Sequence, residues 1–192
     1  MNSFLKATAI LAVAGFTLQA QVSQAQAVAH HNVVELKWEG PNKLSFAFAL
    51  NLPQVLHLLL APQLPYPAFL QSYADLPDPA LERAVIQAVA SLSAKAYITL
   101  PSGVKANLKQ WQLPDKQVLR ESFKIDLLLL KMPPGAPAHQ DPVRVLAQVQ
   151  TPTPLSRMQL QLPPALHPIL VTLSNDKFWL TDQIPMAIVE LP

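Results

Sequence analysis

Apolar and polar residues alternate in two runs that follow the first 30 residues of the chain. The first run covers residues 33–38 and the second covers residues 44–50. Glycine, proline and asparagine occupy residues 40–42 between them. Period-two alternation is typical of a strand with one buried face, and these three residue types favour a tight turn. The pattern therefore predicts an opening β-hairpin.

Two helices are predicted between this hairpin and residue 96. The first covers residues 53–60, with Asn51 as its N-cap, and the second covers about residues 79–94, where apolar side chains recur every three or four positions. Prolines stand at positions 62, 65, 67 and 77 between them. Because proline interrupts regular hydrogen bonding, residues 63–77 are predicted to form an ordered loop.

The period of the apolar positions returns to two after the second helix. The predicted strands cover residues 96–100, 104–113, 122–131, 143–150, 157–162, 169–173 and 186–191. The sequence therefore predicts a mostly β fold with an inserted helical segment. The expected architecture is an antiparallel two-sheet sandwich, either Ig-like or closer to a partly open barrel.

The beginning of the chain has the three parts of a secretory signal peptide. Lys6 provides a basic region, residues 7–18 provide an apolar region, and Ala25-Gln26-Ala27 provides a cleavage site of small residues. An apolar run of this length is shorter than the roughly 20 residues that a membrane-spanning helix needs. We therefore expect residues 1–27 to be removed. Residues 28–192 are expected to form one β-rich domain, periplasmic or secreted, without a membrane span.

Composition excludes several kinds of chemistry. The chain contains no cysteine, so it has no disulfide, no thiolate metal site and no cysteine nucleophile. No serine lies in a G-x-S-x-G motif, and no glycine-rich loop is present. Lysine and arginine total 14 against 12 aspartate and glutamate residues, without a basic run, so nucleic acid is not an expected partner. With no catalytic motif, the chain is not predicted to be an enzyme.

Two histidines lie close to the predicted cleavage site. Cleavage after Ala27 places His30 third in the mature chain, followed by His31. The new amine, two backbone amides and the His30 imidazole can together surround a square-planar ion, a geometry that Cu(II) and Ni(II) prefer. Cleavage after Ala29 would instead let His30 chelate through its own amine and ring. His30 and His31 are thus the predicted metal ligands, and the alternative is a solvated segment that binds no metal.

The other histidines follow no spacing typical of metal ligands. His57 lies among leucines on the first predicted helix, where a core or boundary position is expected. His139 belongs to a proline-rich loop and is expected to be exposed, and His167 immediately precedes a predicted strand.

Two features are suited to binding a partner protein. Proline-rich segments at residues 62–67 and 133–142 are stiff, so they lose little conformational entropy on binding. An unpaired edge strand can also accept a strand from another protein. The alternative to metal handling is therefore a metal-free binding or assembly module that contacts another envelope protein.

The order of several segments resembles a known family. The segments are Ala29-His30, the hairpin ending in Phe46-Ala47-Phe48-Ala49-Leu50, a loop with Tyr73, one helix, Ile98-Thr99-Leu100-Pro101-Ser102-Gly103-Val104, and Pro168-Ile169-Leu170-Val171-Thr172-Leu173. This order is similar to the exported soluble domain that precedes the membrane part of HupE/UreJ-like proteins, over most of the mature chain. The resemblance implies handling of nickel or another metal, with His30 as the matching residue. Because no membrane helices follow in this sequence, it implies an accessory role and not transport.

Overall fold

The structure is a computed structural model that describes residues 32–133, 141–173 and 176–191. Its strands, in chain order, are β1 (Asn32–Gly40), β2 (Lys43–Leu50), β3 (Tyr97–Thr99), β4 (Lys105–Asn107), β5 (Lys109–Gln112), β6 (Val143–Gln150), β7 (Arg157–Gln161), β8 (Ile169–Leu173), β9 (Asp176–Leu180) and β10 (Met186–Glu190). Its helices are α1 (Leu52–Leu60), α2 (Tyr66–Ala74), α3 (Asp78–Lys95) and α4 (Lys116–Leu129).

The strands form two sheets. The larger sheet has the order β5-β6-β2-β1-β8-β9, and the smaller sheet has the order β10-β7-β3-β4. The predicted opening hairpin lies at the centre of the larger sheet, where β1 and β2 pair antiparallel. All pairings are antiparallel except that of β1 with β8, which is parallel, so the larger sheet is mixed.

One hydrophobic core joins both sheets and the four helices. The larger sheet contributes most of the large side chains, among them Phe46 and Phe48 of β2, which are fully buried. The smaller sheet contributes Ile98 of β3 and Leu160 of β7. The predicted fold class is thereby confirmed, since two sheets enclose a core with helices inserted between β2 and β3. Neither sheet closes into a barrel.

Both predicted helices are present. The side chain of Asn51 accepts a hydrogen bond from the backbone N–H of Gln54 at 3.3 Å, which satisfies one of the free donors at the start of α1. The second predicted helix is α3. Pro77 is its N-cap and Asp78 its first residue, and the Asp78 carboxylate lies 2.7 Å from Nη2 of Arg120 on α4. That ion pair lowers the pKa of Asp78, with Lys116 contributing in the same direction.

The predicted loop over residues 63–77 is wrong, because it contains α2. Two of the four prolines that argued against a helix lie at its start: Pro65 is the N-cap and Pro67 is in the first turn. A proline in the first turn costs no hydrogen bond, because the backbone N–H of any residue in that turn has no partner within the helix. Phe69 and Leu70 then fall on the buried face.

The predicted strand over residues 122–131 is also wrong, because these residues form most of α4. Its buried positions are Leu119, Ser122, Phe123 and Asp126, at helical spacing. Two of these four residues are polar, so the apolar period that marks a helix is hidden in the sequence. Asp115 begins the helix, since its carboxylate accepts hydrogen bonds from the N–H groups of Gln117 and Val118.

Two further differences concern strands. The run predicted as one strand over residues 104–113 divides at Leu108 into β4 and β5, which belong to different sheets. Leu108 is fully buried, and its N–H donates to the Ala96 carbonyl at 2.9 Å. β9 was not predicted, because its first residues, Asp176 and Lys177, are charged. Within the described ranges, no helix is both long enough and apolar enough to cross a membrane.

Candidate functional site

The predicted metal ligands His30 and His31 lie outside the described residues, as does His139. The predicted signal peptide and the metal site therefore remain predictions. Among residues 32–133, 141–173 and 176–191, no group of three histidine, cysteine, aspartate or glutamate side chains is arranged to hold a metal ion.

His57 takes part in an aromatic cluster between α1, α2 and α4. Its Nε2 donates to the carbonyl of Leu64 at 2.7 Å, and its ring lies 5.2 Å from that of Tyr66 and 5.1 Å from that of Phe69. The Tyr66 hydroxyl donates to the buried carboxylate of Asp126. Burial and this hydrogen bond raise the pKa of Tyr66. The cluster packs α1, α2 and α4 against one another.

His167 is held by a carboxylate. Its Nδ1 lies 3.1 Å from Oδ1 of Asp182, and its side chain is 1% exposed. Nε2 is buried and has no hydrogen-bond partner among the described residues. A cavity of about 400 Å³ borders the pair, with Leu58 and Lys95 among its lining residues. Because Nε2 is enclosed by protein, it has no access to a substrate in this structure.

The two proline-rich segments give little structural support to a partner surface. The first, at residues 62–67, leads into α2, and most of the second, at residues 134–140, lies outside the described residues. The sheet edges are more informative. Four of the described strands lie at edges: β5 and β9 in the larger sheet, and β4 and β10 in the smaller sheet.

β10 presents large apolar side chains at such an edge. Met186 is 43% exposed and Ile188 is 60% exposed, and both point away from the core. Val189, on the opposite face of the strand, is buried. Ile184, two residues before the strand, is 58% exposed. In the part of the chain that the structure describes, β10 pairs with β7 alone. A contiguous exposed row of this kind marks an interaction site more often than isolated apolar residues do.

Polar side chains of β7 flank this row on the same face of the sheet. Gln161 lies opposite Met186, and Gln159 lies opposite Ile188. Nε2 of Gln159 donates to the Met186 sulfur at 3.2 Å, and the Tyr97 hydroxyl donates to Gln161 at 2.5 Å. The edge thus combines exposed apolar side chains with amide groups held in place by neighbours.

Each of the four described edges has at least one exposed charged residue, which on β10 is Glu190. β4 exposes Lys105 and Asn107, and β5 exposes Lys109 with two glutamines. β9 begins with the exposed Asp176 and Lys177. Charged residues on an edge strand discourage pairing with other chains. The row of exposed aliphatic side chains, Ile184, Met186 and Ile188, is what makes β10 the described edge best suited to receive another strand.

Comparison with models of protein families, with curated proteins and with solved structures gave no match. The resemblance to HupE/UreJ-like proteins accordingly remains a hypothesis. The sequence did contain one sign of the β10 edge: Met186 and Ile188 alternate with Ala187 and Val189, so both faces of this strand are apolar. A strand that is apolar on both faces is either covered on both faces or available to a partner, and only the strand order distinguishes these cases.

Proposed function

We propose that this protein is a metal-free binding module that receives an extended segment of another envelope protein along β10. The observation that carries the proposal is the exposed row Ile184, Met186 and Ile188 on an edge strand. Export to the periplasm or beyond, as the sequence predicts, is part of the proposal.

An edge strand supplies two kinds of contact. Its outward N–H and C=O groups pair with the backbone of an added strand, which gives affinity, while alternate side chains give specificity. Covering a large aliphatic side chain is worth about 1.5–3 kcal/mol when its burial is complete. Met186 and Ile188 are about half exposed, so a partner strand would gain part of this amount at each position.

These contacts define the chemistry of the expected partner. It is an extended segment without internal prolines, because each proline removes a backbone donor from the ladder. Apolar side chains at every second position would pack against Met186 and Ile188. Polar groups beside them would reach the amides of Gln159 and Gln161.

The test places a photo-crosslinking amino acid at position 188 of the full chain, in cells that make the protein. Position 86 is the matched control, because Ile86 on α3 is 62% exposed and is also an isoleucine. We expect a crosslinked adduct with one other protein at position 188 and none at position 86. We also expect Ile188→Lys to prevent co-purification of that protein, whereas Ile86→Lys does not.

Two results would contradict the proposal. The first is an identical set of adducts at positions 188 and 86, which would mean that β10 is ordinary surface. The second is an adduct formed only between two copies of this chain, which would make the edge a homodimer interface.

A further inference from the structure

A polar trough crosses the outer face of the larger sheet, on the side away from the core. Its floor is formed by Ser45 and Ala47 of β2, whose side chains are short. Longer side chains border this floor: Glu35 and Lys37 of β1 lie on one side, and Arg144 of β6 lies on the other. The space between them measures about 400 Å³. This volume is in the range of small-molecule sites in proteins.

A β-bulge shapes one end of the trough. Lys109 pairs with Gln148 and Gln112 pairs with Leu146, so β5 has one residue more than β6 over this interval. Within this interval, Gln110 has a left-handed backbone conformation, with φ of 52°. This conformation is uncommon outside glycine, and bulges often redirect a side chain beside a binding site. Gln110 lies between the trough and an adjoining cavity of about 390 Å³ that Lys43 and Lys109 also line.

The trough and the adjoining cavity are lined by more positive than negative charges. Glu39 is already engaged, since it accepts a hydrogen bond from Ser45 at 2.9 Å and lies 3.2 Å from Nζ of Lys43. Both contacts lower the pKa of Glu39. Lys37 and Arg144, by contrast, form no ion pair with another described residue.

Lys109 likewise forms no ion pair within the described ranges, but it lines the adjoining cavity and not the trough. The trough and that cavity together are lined by four cations, Lys37, Lys43, Lys109 and Arg144, and by two carboxylates, Glu35 and Glu39. An anionic ligand that reaches both spaces would therefore be favoured over a cationic one.

The floor of the trough offers a ligand no free backbone groups. β2 pairs with β1 on one side and with β6 on the other, so the backbone groups beneath the floor are already bonded. Above β2 a ligand must be held by side chains. Glutamine amides provide both a donor and two acceptor lone pairs, which suits hydroxyl groups, and guanidinium groups pair with carboxylates. Four strands contribute to the lining, which corresponds to a length of about 14 Å.

We propose that this trough binds an acidic oligosaccharide, with Arg144 and Lys37 on its carboxylates and the glutamines of β5 and β6 on its hydroxyls. The site is separate from the β10 edge, and the proposal does not depend on the proposed function.

The test measures binding of the purified protein to trisaccharides of galacturonate, mannuronate and glucuronate by isothermal titration calorimetry. Maltotriose serves as a neutral sugar and citrate as a small polyanion without the sugar framework. We expect at least one acidic trisaccharide to bind at least tenfold more tightly than either control. Binding by none of them, or equal binding of citrate, would overturn the proposal.

Variants locate the binding. Ala47→Gln places a long side chain on the floor and is expected to reduce affinity at least tenfold, whereas Thr99→Gln on the outer face of the other sheet leaves it unchanged. Arg144→Gln is expected to weaken binding about tenfold, and Arg157→Gln, an exposed arginine on β7, is its control. Unchanged circular dichroism and melting temperature show that each variant is folded. Equal effects of Ala47→Gln and Thr99→Gln in folded protein would contradict this location.

Discussion

The two sheets differ in what they bury and in what they expose. The larger sheet buries Phe46, Phe48 and most of the other large strand residues on one face, and its opposite face carries polar and charged side chains together with Leu146 and the 40% exposed Trp179. The smaller sheet buries fewer side chains and exposes Met186 and Ile188 at its edge. The larger sheet therefore supplies most of the hydrophobic stabilisation. Apolar residues that the smaller sheet leaves in water contribute little to folding, and this is why we assign them to binding.

The sharpest test of this difference removes one core side chain from each sheet. Phe46→Ala in β2 is expected to lower the free energy of unfolding by about 3–5 kcal/mol, because a fully buried ring leaves a cavity that its paired neighbours cannot close. Leu160→Ala in β7 is expected to cost about 2–3 kcal/mol. Urea denaturation monitored by tryptophan fluorescence measures both. A larger loss for Leu160→Ala would reverse the assignment of stability between the sheets.

A second prediction concerns the strained residue at the rim of the polar trough. Gln110→Gly should raise the free energy of unfolding by about 0.5–1 kcal/mol, because glycine adopts a positive φ without steric cost. Gln112→Gly, on the same strand, should lower it by about 0.5–1 kcal/mol, because there glycine only adds flexibility to the unfolded chain. If both substitutions destabilise the protein equally, the backbone at Gln110 carries no strain.

The smallest expected effect is electrostatic and is confined to the outer face of the larger sheet. Glu39 has a lowered pKa in the folded protein, so its contribution to stability is present above its unfolded pKa and is lost as the pH falls through the folded value. Ser45→Ala removes the largest cause, and we expect the pKa of Glu39 to rise towards its usual value. An NMR titration of the side-chain carboxyl groups measures it.

Asp78 provides the control for this titration. Its pKa is lowered by Arg120 and Lys116 in the helical layer, away from Ser45. Ser45→Ala should leave it unchanged. A shift at both carboxyl groups would indicate that the substitution perturbs the whole fold, whereas no shift at Glu39 would show that the Ser45 hydrogen bond does not hold the carboxylate.

Local patterns were reliable where one face of an element is apolar throughout. The alternation in β1, β2 and β6 and the capped start of α1 each agree with the structure. These patterns misled where polar residues are buried. Ser122 and Asp126 lie on the inner face of α4 and interrupt its apolar period, so the leucines that follow were predicted to be part of a strand. The wrong prediction at α2 has a different origin, because prolines occur both in loops and at the starts of helices.

The sequence by itself determined that the chain is mostly β, that a helical segment follows the first hairpin, and that alternating strands have one buried face. Each of these properties is local, because it depends on residues a few positions apart. Only the tertiary structure decided which strand lies at an edge and which side chains surround the trough. β10 is exposed because β7 is its single partner among the described strands, and the trough exists because β1, β2, β5 and β6 are neighbours. Strand order arises from contacts between distant parts of the chain, which no local pattern encodes.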